Sequence, residues 1–389
     1  MSSCCEFAIT HRDGAARRGR LRLAHGVVDT PAFMPVGTRA AVKGVTSAQL
    51  EELGADIILA NTYHLHLRPG AGLIARAGGL HRFMGWTRPI LTDSGGYQIF
   101  SLAERCAITE EGASFRSHID GAACALTPEI AVDVQAQLGS DVAMILDQCP
   151  PALSPGTPSG VIESAMARTL RWARRGRDRF LALQQGAAPE IVRATPGQAQ
   201  FGIIQGGTDL SLRDRSIEGT LGVGFEGYAI GGLSVGEPVE RMYEVVAHTA
   251  ERLPADRPRY LMGTGMPDDL VESVASGIDL FDCVLPTRNA RNGQVFTSEG
   301  PLAIKNARFA EDFGPIEEGC ACYTCRHFSR AYLRHLFLSD EIGSATLNTL
   351  HNLHFYLDTM RRIRNAIEFG TFREFRQRFS DTYSRRPRS

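Results

Sequence analysis

Asp282 stands inside an apolar run, with Leu280-Phe281 before it and Cys283-Val284-Leu285 after it. The spacing predicts a basic, amide-rich turn directly afterwards, over Thr287-Arg288-Asn289-Ala290-Arg291-Asn292. A carboxylate in a strand-like run is costly to bury unless something pairs with it or it works chemically. The guanidinium fork of the neighbouring arginines suits phosphate, so the stretch points to carboxylate chemistry beside an anionic polymer. A second acid opens Asp93-Ser94-Gly95-Gly96-Tyr97-Gln98, where the glycines let backbone approach a ligand and Tyr97 offers a flat face for a ring. Two carboxylates facing one substrate are the equipment for breaking a glycosidic bond, one attacking the anomeric carbon while the other handles protons. A nucleoside C1′ is such a carbon. Asp147, with Gln205 and the backbone of Gly232, could read a purine edge, because a carboxylate accepts two neighbouring N–H groups.

These residues need a frame that brings them together. After Asp29, short apolar runs end in Gly or polar residues and are followed by helical patterns. The runs are 31–36, 56–61, 89–93, 141–147, 200–205, 227–232, 259–263 and 279–284. Continuous apolar strands alternating with helices predict a parallel sheet covered on both faces. Eight such units over about 250 residues predict an α/β fold, a (β/α)₈ barrel, more than a doubly wound sheet. In such a barrel the C-terminal strand ends converge, and here they carry Asp93, Asp147, Gln205, Gly231-Gly232, Met262-Gly263 and Asp282. Strand ends commonly carry turn-forming Asp and Gly, so any one of these is weak evidence; the set is not. Thr46 to Leu53 reads as a capped helix ending at Gly54, and Glu163 to Leu183 as an amphipathic helix rich in arginine. Segments 150–160 and 186–197 read as surface connections.

The bulk composition fits a globular protein, with 43% hydrophobic and 22% charged residues in 389. A formal net charge of -1 excludes coating nucleic acid by bulk charge, so any such contact must come from local patches. One candidate patch is the end of the chain, where nine arginines after residue 360 face only Glu368, Glu374 and Asp381; a solvated helix gives the same pattern. The start has no apolar core of a secretory signal and no apolar stretch is long enough to span a bilayer, so the expectation is a cytoplasmic protein with no membrane partner. Nine cysteines, an odd number, fit a reducing compartment. Cys4, Cys5, Cys106 and Cys124 carry no further signal.

Three cysteines crowd into Cys320-x-Cys322-x2-Cys325, within a region from 294 to about 344 that breaks the strand–helix rhythm and reads as an insertion before the last helix. Three thiolates and one imidazole make a closed, structural zinc site. His327, His335, His351 and His354 are all candidates for the imidazole, with His327 too close to Cys325 to close the chelate comfortably. His64-Leu65-His66 has the spacing of metal-dependent barrel hydrolases, but it follows the second strand-like run, and no histidine or lysine at later strand ends completes such a site.

From about Phe7 to Phe375 the chain resembles the bacterial queuine tRNA-ribosyltransferases, or tRNA-guanine transglycosylases. The resemblance rests on NTYHLHLRPG from Asn61, TDSGGYQIFS from Thr92, FRSHIDG from Phe115, IIQGG from Ile203, GGLSVGE from Gly231, YLMGTGMPDDL from Tyr260, FDCVLPTRNARNG from Phe281 and the cysteine cluster. It implies a (β/α)₈ barrel over 1–293, a zinc-binding insertion over 294–351, and a last helix with a basic tail over 352–389. It implies exchange of guanine at the wobble position of GUN-anticodon tRNAs for 7-aminomethyl-7-deazaguanine (preQ1) in queuosine biosynthesis, through a covalent enzyme–RNA intermediate and by a homodimer. Asp282 resembles the nucleophile and Asp93 the general acid/base. Ser94, Gly95, Gly96, Asp147, Cys149, Gln205 and Gly232 resemble the groups around the purine, Tyr97 and Met262 those that sandwich its ring, and the Leu233 carbonyl the partner of the aminomethyl group. Gly263, Thr264, Gly265, Met266, Pro267, Asp268 and Asp269, with Thr287, Arg288, Asn289, Ala290 and Arg291, match segments that hold the anticodon loop. Cys320, Cys322, Cys325 and His351 match one structural Zn²⁺ per subunit.

One departure stands out. Gln148 lies between Asp147 and Cys149, where bacterial relatives usually have Glu. In the family that Glu works with the acid matching Glu237 on a backbone switch near Leu233, so the substitution bears on base selectivity. Cys149 agrees with the bacterial pattern, and the resemblance implies no archaeal-type RNA-binding domain. A catalytically silent RNA-binding subunit, like that of eukaryotic heterodimers, would be expected to have lost its acids, and both Asp93 and Asp282 are present.

Overall fold

A computed structural model describes residues 4–98, 106–150 and 159–383. The polypeptide opens with an antiparallel meander of β1 (Glu6–Asp13), β2 (Ala16–Leu23) and β3 (Gly26–Thr30). The barrel strands follow: β4 (Ala32–Gly37), β5 (Ile58–Ala60) and β6 (Ile90–Thr92). After an antiparallel excursion of β7 (Cys106–Ile108), β8 (Ala113–Arg116) and β9 (Ala123–Leu126) come β10 (Val142–Met144), β11 (Ala199–Ile204), β12 (Gly227–Ile230), β13 (Arg259–Leu261) and β14 (Leu280–Cys283). Strands β4, β5, β6 and β10 to β14 form one closed parallel barrel, with β14 returning to β4 through Leu280↔Ala32 and Phe281↔Phe33. The chain is therefore a (β/α)₈ barrel.

The eight apolar runs coincide with the eight barrel strands, because strands buried on both faces need continuous hydrophobicity. In β4, β5, β6, β10, β11, β12 and β13 every residue is buried. The hydrogen-bonded strands stop short of the polar ends of those runs. Asp93, Gln205 and Met262 each lie one residue past a strand, and Asp147 and Gly232 slightly further, which leaves their side chains and backbone free to line the mouth.

Thr46 caps the Ser47–Glu52 helix in a reciprocal capping box with Gln49, and the chain leaves at Gly54 as the sequence suggested. In the Ser159–Gln184 helix the arginines lock neighbouring elements: Arg177 pairs with Glu226 at 2.8 Å and Arg179 with Asp133 at 2.7 Å. The anticipated turn at Thr287–Asn292 is instead a helix, Leu285–Arg291. Pro286 pre-sets its first turn, and Ala290 packs inward, so tertiary burial outweighs the turn-like composition.

Beyond the barrel, β15 (Gln294–Thr297) and β16 (Gly300–Ala303) form a hairpin, followed by short helices around the cysteines. One 27-residue helix, Ile342–Glu368, begins beside the cysteines and runs on to pack Tyr356, Met360 and Ile363 into the main core. Beneath the barrel, Arg17 of β2 forks onto Asp279 through Nε–Oδ1 at 2.8 Å and Nη2–Oδ2 at 2.5 Å, tying the meander to β14. Of the surface connection expected over 150–160, residues 151–158 lie outside the described residues, as does the arginine-rich end from 384.

Candidate functional site

Asp93 follows β6 and Asp282 lies within β14, and the mouth of the barrel brings them together. Asp93 is buried, and its Oδ1 accepts Thr62 N–H at 2.7 Å. Its Oδ2 accepts Asn61 Nδ2 at 2.5 Å and Gln98 Nε2 at 2.8 Å. Burial pushes its carboxyl up to about 6 against these bonds, and the charge of Asp282 pushes the same way. Asp282 is half-buried; its Oδ1 accepts Tyr260 Oη at 2.6 Å and Gly263 N–H at 2.8 Å. Its depth in the mouth raises its carboxyl, while these two donors favour the ionised form. Burial, and then Asp282, hold the Tyr260 phenol well above its usual range, so it remains a donor. Asn61, Thr62, Gln98 and Tyr260 were not foreseen as partners of the two acids. Each lies in a stretch that carries the family resemblance, without any sign there of which acid it holds.

Asp147 and Gln205 follow the adjacent strands β10 and β11, and Gln205 Nε2 donates to Asp147 Oδ2 at 2.7 Å. Ser94 Oγ lies 3.4 Å from Asp147 Oδ1. Burial pushes Asp147 up to about 6. Gln205 Oε1 is buried without a hydrogen-bond partner, so an acceptor waits at the wall of the mouth. Beneath it the buried Arg213 donates to the carbonyls of Ile204 and Gly207, both at 2.8 Å, and fixes the backbone on either side of Gln205. Gly96 is glycine for space, because a β-carbon there would lie 2.7 Å from the Asp147 carbonyl oxygen. Gly232 has φ +67°, and any side chain would collide with Gln205 Oε1.

Tyr97 is 56% exposed, a free aromatic face at the rim, while Met262 is half-buried and Leu233 buried. Cys149 is buried and its thiol is pushed up to about 12, chiefly by that burial, so it stays protonated. Gln148 turns toward the long helix: its N–H donates to Thr169 Oγ1 at 3.0 Å and its Oε1 accepts Arg168 at 2.5 Å. Glu237 instead accepts Ser234 N–H at 2.5 Å and Val235 N–H at 3.0 Å, bracing the loop that carries Leu233.

Among the residues matched to an anticodon contact, Arg288 is exposed, Asn289 and Arg291 are half-buried, and Thr287 and Ala290 face inward. Gly263 spends its N–H on Asp282, and the Gly265 carbonyl accepts Tyr356 Oη at 2.6 Å. Thr264 meets Ser234 Oγ at 2.9 Å, and Met266 and Pro267 open the Pro267–Ala275 helix. Asp268 and Asp269 sit in its first turn, where Asp269 is buried and accepts Tyr243 Oη at 2.6 Å.

Cys320, Cys322, Cys325 and His351 converge as a cluster that could hold a metal ion. Nδ1 of His351 lies 3.9, 3.5 and 3.3 Å from the three sulfurs, in that order. Bonds of about 2.3 Å to sulfur and about 2.05 Å to nitrogen at the tetrahedral angle require a sulfur–nitrogen separation of ~3.5 Å. The other ring nitrogen faces the Phe296 carbonyl at 2.7 Å, which fixes the ring. His64 and His66 belong to no cluster of potential metal ligands among the described residues. His64 is held down to about 4 and His66 below its usual value, both chiefly by burial.

The family model described as queuine tRNA-ribosyltransferase matches residues 13–385. The chain is 55% identical over 376 residues to the queuine tRNA-ribosyltransferase of Syntrophobacter fumaroxidans, covering 96% of each chain. It is 54% identical over 374 residues to that of Methylobacillus flagellatus, covering 96% of this chain and 97% of the relative. Against that of Nitrosomonas eutropha the identity is 53% over 375 residues, covering 96% and 99%.

Proposed function

Since the chain belongs to the queuine tRNA-ribosyltransferase family, we propose that it is a tRNA-guanine transglycosylase of queuosine synthesis whose chemistry runs through Asp282 and Asp93. The observation that carries this reading is the pair of acids at one barrel mouth, close enough for the charge of Asp282 to raise Asp93. Asp282 attacks ribose C1′ of the wobble nucleotide; the bond from C1′ to guanine breaks, and its electron pair leaves with the base. Asp93 gives that base a proton. The incoming preQ1 then gives its ring N–H proton to the Asp93 carboxylate, attacks C1′ and displaces Asp282. Two displacements retain configuration, as in retaining glycosidases.

Several features support these roles. A carboxyl near 6 can both give and take a proton close to neutral pH. Tyr260 and Gly263 hold one oxygen of Asp282 and leave the other for attack. Exchange instead of hydrolysis needs water excluded while the first base leaves, which Tyr97 and Met262 would achieve by closing on the ring. Asp147, Gln205 and Gly232 would take the purine edge, and the Leu233 carbonyl the aminomethyl group. Arg288 is the exposed cation of its helix and would meet the anticodon loop, whose unpaired bases make extrusion of the target cheap. We assign zinc to the Cys320–His351 cluster, where a closed set of four protein ligands gives it a structural role. We also infer a homodimer, and a division into a barrel over 1–293, a zinc insertion over 294–351 and a terminal segment beyond.

The test is incorporation of radiolabelled guanine into a wobble-G tRNA, with trapping of the covalent adduct on denaturing gels. The wild type should exchange label and form the adduct. Asp282→Asn should do neither, and retained exchange in that variant would overturn the nucleophile. Asp93→Asn should bind tRNA with turnover reduced by roughly 10²–10⁴.

A further inference from the structure

Directly behind the amide that would read the base stands a cation with no counter-ion. Arg213, in the Leu210–Val223 helix, has no exposed surface. Its Nε and Nη1 donate to the Gly207 and Ile204 carbonyls, and among the described residues no carboxylate bonds to it. Burial pulls its guanidinium down to about 10, which still leaves it charged at neutral pH. The nearest acid, Glu237, has its oxygens on the Ser234 and Val235 N–H groups, and the Cys149 thiol is protonated. Two carbonyls do not offset the desolvation of a guanidinium, so a charge kept here calls for a use that a neutral side chain would not serve.

Its third nitrogen, Nη2, is buried without a hydrogen-bond partner, and so is Oε1 of Gln205. The two border one gap: the point where a Gly232 β-carbon would lie is 2.4 Å from Gln205 Oε1 and 3.8 Å from Arg213 Nη2. On the other side of the same amide, Nε2 donates to Asp147 Oδ2 at 2.7 Å. The amide therefore lies between a carboxylate and a cation, and only one of its two orientations suits both. Flipped, it would turn its oxygen on the carboxylate and its N–H groups on the guanidinium. The next step rests on the reading of the site given above. With Asp147 accepting N1–H and the 2-amino group of guanine, the next position along that edge is the 6-oxo group, an acceptor that needs a donor. We propose that Arg213 is a positioning residue for base selection: its charge behind Gln205 Oε1 locks the amide with an N–H toward the purine 6-position, so that 6-oxo bases are preferred. Gln205 keeps one N–H on Asp147 and has the second for the base. Guanine and preQ1 share this edge, so the device selects the class of base and does not choose between the two.

Equilibrium binding of free bases to the full-length protein, without tRNA, tests this. Guanine and 6-thioguanine carry the same N–H groups and differ in one atom, where sulfur is the weaker acceptor, so the wild type should prefer guanine. Arg213→Met should weaken guanine binding by roughly tenfold and 6-thioguanine binding by less than about threefold, the difference being one hydrogen bond. Arg213→Lys, which keeps the charge but loses the two-armed grip on the carbonyls, should restore the preference; a merely structural role predicts no such rescue. Should Arg213→Met fail to fold, Arg213→Gln, which can still donate to one carbonyl, takes its place. Equal losses for the two bases, or an undiminished loss for guanine when Gln205→Met is already present, overturns the proposal. A wild type that binds neither base overturns the reading of the site itself, and this inference with it.

Discussion

Asp147 shows how the site sets the state of a single side chain. Buried and raised to about 6, it is neutral in acid and charged at neutral pH. Its value in the unfolded chain is about 3.9, so ionisation inside the fold costs stability as pH climbs from about 4 through about 6, and the full cost stands above that. A two-unit displacement corresponds to at most ~3 kcal/mol. Asp147→Asn, which has nothing to ionise, should match the wild type near pH 4 and exceed it by about 1–3 kcal/mol near pH 7.5 in urea denaturation. In the proposed reaction the same charge accepts the base, so the wild-type KM for guanine should fall as pH rises through about 6. In the variant it should be high and flat. Equal stabilities near pH 7.5 would contradict the buried, raised carboxyl.

At the scale of elements, the Ile342–Glu368 helix does two jobs in succession. Its early turns present His351 to the three cysteines, and its later turns bury Tyr356, Met360 and Ile363 against the barrel. A metal held by that cluster would be coupled to the packing along one rigid rod, and should leave only with unfolding. Cys322→Ser should lose the metal, reduce stability by on the order of several kcal/mol and lower soluble yield, leaving activity per folded molecule little changed. Metal content and thermal melting with and without chelator would check this. A variant or chelated protein that is metal-free yet melts like the wild type would show that the cluster does not support the fold.

For the whole molecule, closure is the decisive property. The barrel joins β14 to β4, and the Arg17–Asp279 pair fastens the preceding meander beneath that seam. The pair is fully buried and well satisfied, with Arg17 also donating to the Ala255 and Arg257 carbonyls and Asp279 accepting Arg259 N–H. Removing one partner strands the other in a low dielectric, which costs about 3–5 kcal/mol. Asp279→Asn should show a loss of that size in urea denaturation, and replacing both partners by apolar residues of similar volume should recover most of it. A single variant as stable as the wild type would mean that the pair is dispensable.

The sequence by itself determined the eight barrel strands, because parallel strands buried on both faces write their burial directly into continuous apolar runs. It also determined which polar residues end those strands, and the cysteine spacing that brings thiols within reach of one ion. The helix at Leu285–Arg291 was hidden behind turn-like composition, because inward packing of Thr287 and Ala290 overrides local preference. Only the tertiary structure decided that Asn61 and Tyr260 hold the two acids and that Gln148 turns to Arg168. Such pairings join residues far apart along the chain, and local sequence carries no signal for a distance that closure of the barrel alone sets.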